Sequence, residues 1–156
     1  DHLYKSGTDV SCAQQLIAVN ERFNQSVVGL KVSPVGEIGN FGCVTGTWYE
    51  RNSILSVSEI YEKPDPEYAR EHLRVDGMDD NEYLTLFGLY ILKPLIFDYI
   101  EEHITHNIRE HGEFQLTSCI DRLRQEDGLA GYLIQGTCFD IGLPDAYLKT
   151  LNNFRE

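Results

Sequence analysis

The chain has 156 residues, 42% of them hydrophobic and 24% charged, and a net charge of −12. That length fits one domain with a real core, and that composition excludes disordered, collagenous and coiled-coil chains. The acidic excess argues against a basic nucleic-acid face, and no apolar run approaches the roughly 18 residues of a membrane span.

An acidic chain still accommodates nucleotides, whose phosphates are met by one lysine, backbone N–H groups and a metal ion. Cys12, Cys43, Cys119 and Cys138 form no C-x-x-C pair and no zinc spacing. They read as reduced, mostly buried thiols of a cytoplasmic protein. Asp1-His2-Leu3-Tyr4 has neither an initiator Met nor a targeting pattern and reads as the middle of a longer protein.

The first expected element is a helix from Ser11 to Phe23. Ser11 and Gln14 form an S-x-x-Q capping box, and Cys12, Leu16, Val19 and Phe23 recur at helical spacing. Strands are expected over Ser26–Ser33, Phe41–Trp48 and Ile54–Tyr61, punctuated by Gly36, Gly39 and Gly46. A short helix over Glu67–His72 precedes an acidic loop, Asp76 to Glu82. That loop lacks the calcium-loop order, since its glycine comes second rather than sixth, and reads as solvated. Leu84–Leu92 is almost continuously apolar, the mark of a strand buried on both faces.

Pro94 opens a helix to Asn107 with Leu95, Tyr99, Ile100 and Ile104 inward. Another runs from Gln115 to Asp127 with Leu116, Cys119, Ile120 and Leu123 on one face, stopped by Gly128. Leu129–Ile141 contains a strand, and Pro144 starts a last helix with Tyr147, Leu148 and Leu151 on its apolar side. The fold class is α/β, a single domain with a mixed, mostly buried sheet flanked by helices.

Nucleophilic hydrolysis has no support: there is no G-x-S-x-G and no local Cys–His signature. His103, His106 and His111 lack a third ligand in a recognised register and read as a solvated helix end. Three stretches carry more. Glu62-Lys63-Pro64 ends a strand, where a carboxylate can meet sugar hydroxyls and an ammonium a phosphate; its plain reading is a surface ion pair. Gly112-Glu113-Phe114-Gln115-Leu116-Thr117 is a glycine turn entering a helix, with Glu113 favourable to the dipole. Phe139-Asp140-Ile141-Gly142 sets one carboxylate after a strand, suited to Mg²⁺ or to a plain N-cap.

In this order, together with Phe41-Gly42-Cys43-Val44 and Phe87-Gly88-Leu89-Tyr90-Ile91-Leu92, these stretches resemble the C-terminal half of the sugar-1-phosphate nucleotidyltransferases. Among them they are most similar to bacterial-type UTP–glucose-1-phosphate uridylyltransferases. The resemblance spans essentially the whole chain and implies the C-terminal part of a Rossmann-like nucleotidyltransferase fold. It implies Mg²⁺ held by Asp1 and Asp140, a sugar-hydroxyl contact from Glu62 and a sugar-phosphate contact from Lys63. It also implies a pocket lined by the backbones of Gly42 and Gly88, with Glu113 at a mainly structural helix entry. Lys63 and Asp140 are the implied catalytic residues.

The family's Gly-rich, nucleotide-holding loop has no counterpart here, so the N-terminal nucleotide-binding part is expected to be absent and this chain alone inactive. The implied partners are a nucleoside triphosphate and a sugar 1-phosphate, with no nucleic acid and no membrane. A sheet cut from its N-terminal strands would leave an open edge, so a homo-oligomer is expected. The rival reading is a non-catalytic sugar-phosphate-binding or oligomerisation module.

Overall fold

The computed structural model describes residues 2–110, 112–141, 147–148 and 150–151. The chain begins with a strand the sequence reading did not anticipate, β1 (His2–Ser6), followed by α1 (Cys12–Phe23). The Ser11 capping box forms in full. The Gln14 N–H donates to Ser11 Oγ at 3.2 Å, and the Ser11 N–H donates to Gln14 Oε1 at 2.9 Å. Asn24 ends the helix in the left-handed region at φ 51°.

Next come β2 (Ser26–Pro34), β3 (Gly42–Glu50), β4 (Ile54–Glu62), α2 (Pro66–His72) and β5 (Glu82–Ile91). The chain continues through α3 (Ile96–Thr105), α4 (Leu116–Asp127), β6 (Leu129–Leu133) and β7 (Gly136–Asp140). The segment expected to hold one strand thus holds two, β6 and β7. They divide between two sheets. β1 and β7 pair antiparallel as a two-stranded ribbon, with His2 opposite Asp140.

The other five strands pair in a closed order, β2–β5–β3–β4–β6, with β6 returning to β2 in parallel. The closure is thin in places: β3 meets β5 only at Cys43 and Val44, and β4 meets β6 only from Ile54 to Ser56. Each of these strands has two strand neighbours. The bare sheet edge expected from the sequence therefore does not hold for them, because β2 and β6 close on each other.

Neighbouring residues on a strand point to opposite faces, and the core divides accordingly. Val28, Leu55, Leu86 and Leu129 join the cluster under α3 and α4, with Ile96, Tyr99, Cys119, Ile120 and Leu123. Their neighbours Val27, Ile54, Phe87 and Ala130 join the cluster under α1, with Cys12, Leu16 and Val19. The sheet is therefore mixed, buried and flanked by helices, as expected. β5 is fully buried from Tyr83 to Phe87, in keeping with its apolar run.

Two helix faces need correction. On α3, Leu95 is 37% exposed and Ile104 58% exposed, while Ile96 and Tyr99 turn inward. Leu95 is the N-cap, ahead of the first helical turn, and Ile104 lies in the exposed last turn, because α3 runs only from Ile96 to Thr105. On α4, Leu116 is exposed, since it is the first helical residue and precedes the covered turn. Tyr147, Leu148 and Leu151 are exposed as well, and Thr150 is the buried one. Pro144 lies outside the described residues, as does His111. Cys12, Cys43 and Cys119 are buried and Cys138 is half-buried.

Candidate functional site: a cavity between ribbon and sheet

The β1–β7 ribbon comes up against the bulged end of β5 and leaves a cavity of about 590 Å³. Gly42, Glu62 and Gly88 all line it, so the structure brings these three expected residues together. His2 and Cys138 line it from the ribbon, and Lys31, Phe41, Tyr90 and Thr117 from the sheet side.

The strand register explains the meeting. Gly42 opens β3 directly opposite Glu62, the last residue of β4. A Cβ on Gly42 would lie 3.0 Å from Glu62 Oε2 and 2.8 Å from Leu86 Cδ1, so a side chain there would occupy the carboxylate's space. β5 bulges against β2 where the register shifts between Val28 and Leu30. Gly88 sits in that stretch at φ +91°, in the left-handed region that glycine tolerates. Its carbonyl accepts the Tyr4 hydroxyl at 3.0 Å, which ties the ribbon to the sheet.

Glu62 is held in place. Its side chain is 18% exposed, and Thr117 Oγ1 donates to Oε2 at 2.6 Å. The other oxygen lies 3.9 Å from Lys63 Nζ. Burial, with the carboxylate's field added to it, raises both the Cys43 thiol and the Tyr90 phenol to about 12. Both groups are therefore neutral donors at ordinary pH, and neither is an activated nucleophile.

Lys63 turns away from this cavity. It lines an adjoining one of about 370 Å³ with Glu62, Glu113 and Gln115. Its backbone is left-handed at φ 48°, and its N–H donates to the Phe41 carbonyl at 3.0 Å. Its side chain is 54% exposed. Glu113 thus joins Lys63, with Glu62 as the wall between the two cavities. Gly112, at φ +85°, makes the turn, and Glu110 and Glu113 close it by a short bridge.

The two metal assignments fall outside the description: Asp1 altogether, and the side chain of Asp140. Asp140 ends β7 opposite His2, which places its backbone at the cavity's ribbon wall. Among the described residues no group of three or more His, Cys, Asp or Glu side chains is arranged to hold a metal ion. His103 Nδ1 lies 3.5 Å from Cys119 Sγ, and His106 Nδ1 lies 3.0 Å from the Glu102 carbonyl oxygen, so these histidines have local structural contacts.

Sequence reasoning did not single out Thr117, Tyr4, Tyr90 or Lys31. Thr117, the last residue of the Gly112–Thr117 stretch, and Tyr90, within Phe87–Leu92, carry the available signal. Lys31 reaches the cavity, and Tyr4 reaches Gly88, only through strand pairing.

Compared with known families, residues 1–156 match the nucleotidyl transferase model, described as "Nucleotidyl transferase". The chain belongs to the nucleotidyl transferase family. It is 29% identical over 142 residues to a UTP–glucose-1-phosphate uridylyltransferase of Pseudomonas aeruginosa, covering 91% of this chain and 46% of that protein. It is 30% identical over 146 residues to UTP–glucose-1-phosphate uridylyltransferase 1 of Staphylococcus saprophyticus, covering 94% and 46%. The chain spans about half the length of the curated relatives it matches.

A UDP-glucose pyrophosphorylase crystallised with UDP-glucose superposes with a TM-score of 0.77 at 22% identity, over 99% of this chain and 53% of that one. A UTP-bound enzyme of Acinetobacter baumannii gives 0.73 at 22%, over 98% and 47%. These likenesses establish the nucleotidyltransferase fold. No helix among the described residues is long and apolar enough to cross a membrane.

Proposed function

We propose that this chain forms the sugar-phosphate side of a uridylyl transfer site, acting within a longer protein on UTP and glucose 1-phosphate. The observation that carries the reading is the cavity in which a fixed carboxylate, Glu62, faces the two glycine positions Gly42 and Gly88. A carboxylate held by Thr117 is an acceptor for sugar hydroxyls. Glycine backbones let a sugar ring approach the sheet closely.

In the proposed reaction an oxygen of the sugar phosphate attacks the α-phosphorus of UTP. The bond to the β-phosphate breaks, and pyrophosphate leaves with the electron pair. The attacking oxygen is anionic at neutral pH, so no general base is needed, and the protein contributes positioning and charge neutralisation. In this reading Glu62 orients the sugar, Lys63 meets the phosphate from the adjoining cavity, and Glu113 and Gln115 hold the wall behind it. Mg²⁺ belongs to the proposal through Asp1 and Asp140, two hard oxygen donors of the kind it favours. When bound it would neutralise phosphate charge. The mostly buried cysteines support a cytoplasmic setting. The homo-oligomer remains an expectation of the proposal, and a monodisperse monomer in light scattering removes it.

Calorimetric titration of the chain with UDP-glucose, with and without Mg²⁺, tests the reading. Binding is expected, weakened about tenfold or more by Glu62→Ala through loss of charge-assisted hydrogen bonds of about 1.5–3 kcal/mol each. No heat at millimolar ligand would overturn it. One observation favours a second reading, a non-catalytic sugar-phosphate-binding module: the chain spans about half of its relatives. That reading predicts the same binding. It is separated from the first by assaying pyrophosphate release in the longer protein.

A further inference from the structure

The larger cavity has a cation that neither the sequence reading nor the comparisons assign. Lys31 lines it from β2, whereas Lys63 faces the adjoining cavity. Among the described residues, Lys31 is the cavity's one ammonium. It has no ion pair and no hydrogen bond among them. Its Nζ rests over the Phe41 ring, 3.7 Å from the centroid.

That arrangement is unusual in a chain of net charge −12, where carboxylates are plentiful. The cavity's own carboxylate is committed elsewhere, to Thr117 at 2.6 Å and to the neighbourhood of Lys63 at 3.9 Å. The hydroxyl of Thr85, which pairs with Lys31 across β2 and β5, is taken by Ser33 at 2.7 Å. A ring face holds an ammonium weakly and releases it to an anion.

We infer that Lys31 is an anion-binding residue of this cavity, taking a charged oxygen group of a sugar ligand whose hydroxyls Glu62 receives. The inference rests on the function proposed above and adds the residue that reads the ligand's charge. Along β5, Lys31 stands beside Thr85, whereas the ribbon meets the strand at Gly88. The lysine is thus set apart from the ribbon wall where β7 ends. The anion is therefore assigned to the sugar rather than to the triphosphate. Two groups share the required chemistry, the 1-phosphate itself and a carboxylate on the sugar ring, as in a uronic acid.

The test is calorimetric titration of the 156-residue chain and of Lys31→Gln with α-glucose 1-phosphate and, separately, α-glucuronate 1-phosphate. Lys31→Gln is expected to weaken at least one of them about tenfold. Equal weakening of both assigns the 1-phosphate, and loss confined to the glucuronate compound assigns the carboxylate. Lys31→Arg, which keeps the charge, is expected to restore binding to within about threefold. Binding of both ligands with no change in Lys31→Gln overturns the inference alone. Loss of binding that Lys31→Arg does not restore also overturns it. No binding of either ligand to the unaltered chain overturns this inference and the proposed function together.

Discussion

The cavity has two walls built by different means. The five-stranded sheet contributes Gly42, Glu62 and Gly88 from strands whose facing residues are buried and helix-covered on both sides. The β1–β7 ribbon contributes His2 and Cys138 from two strands, and its first two residues are exposed. A two-stranded ribbon is marginal in water by itself. This one is attached by a few named contacts: the Tyr4 hydroxyl on Gly88, the stacking of Tyr4 on Phe87 at 5.4 Å, and the buried Gln15 of α1. The Gln15 amide donates to the Gln135 carbonyl at 3.1 Å and accepts the Gln135 N–H at 3.0 Å, just before β7. The rigid wall thus carries the carboxylate, and the lightly held wall carries the end of β7, where Asp140 is proposed to hold Mg²⁺. Sites that must admit ligands commonly draw on the low-stability parts of a fold.

The largest effect is expected from the sheet side. Leu84→Ala removes a fully buried side chain from the cluster under α3 and α4, and should cost about 2–5 kcal/mol in urea unfolding. A loss below 1 kcal/mol would mean that this face of the sheet is not the structural centre. Gln15→Ala should cost less globally, about 0.5–1.5 kcal/mol, because it removes the part-buried hydrogen bonds that its amide makes with the Gln135 backbone. Its signature is local: hydrogen exchange should quicken in β1 and β7 while β2 and β5 keep their protection. Uniform quickening would contradict the two-wall description.

The smallest effect near neutrality concerns Cys43 and Tyr90. Both titrate near 12 in the folded chain, above their ordinary values, so the folded state keeps protons that the unfolded state releases. Their contribution is fully present below pH 9 and is lost as pH rises, from 9 through 12 for Cys43 and from 10 through 12 for Tyr90. Cys43→Ala should flatten the alkaline fall in stability by up to about 1.4 kcal/mol per pH unit. An unchanged slope in unfolding experiments between pH 9 and 11 would show that Cys43 does not carry it.

The legibility of these walls in the sequence differs in the same way. α1 was readable because a capping box and a 3.6-residue period are local signals, and the Ser11–Gln14 pair forms as its spacing requires. β5 was readable because the almost continuously apolar run Leu84–Leu92 fits a strand covered on both faces. Glu62, Gly42 and Gly88 were found through resemblance and meet in one cavity. β1 was missed, since His2-Leu3-Tyr4-Lys5-Ser6 alternates too weakly to signal a strand and is formed by pairing with β7. The division of 129–141 into strands of two different sheets was hidden for the same reason. Lys63 and Glu113, from two separate stretches of the sequence, line one adjoining cavity and lie across Glu62 from the glycines.

By itself the sequence determined the kinds of element, the acidic surface charge, the apolar strand at the centre and the family. The elements and the charge follow from local periodicity, capping chemistry and composition, which need no knowledge of distant neighbours, and the family from the resemblance of its motifs. The tertiary structure alone decided that β6 closes on β2, that Thr117 fixes Glu62, that Gln15 clamps the ribbon and that Lys31 shares a cavity with Gly42 and Gly88. Each of these joins residues far apart in the chain. Such contacts are selected by strand register and by the bulge in β5, where a shift of one residue would turn every side chain to the opposite face.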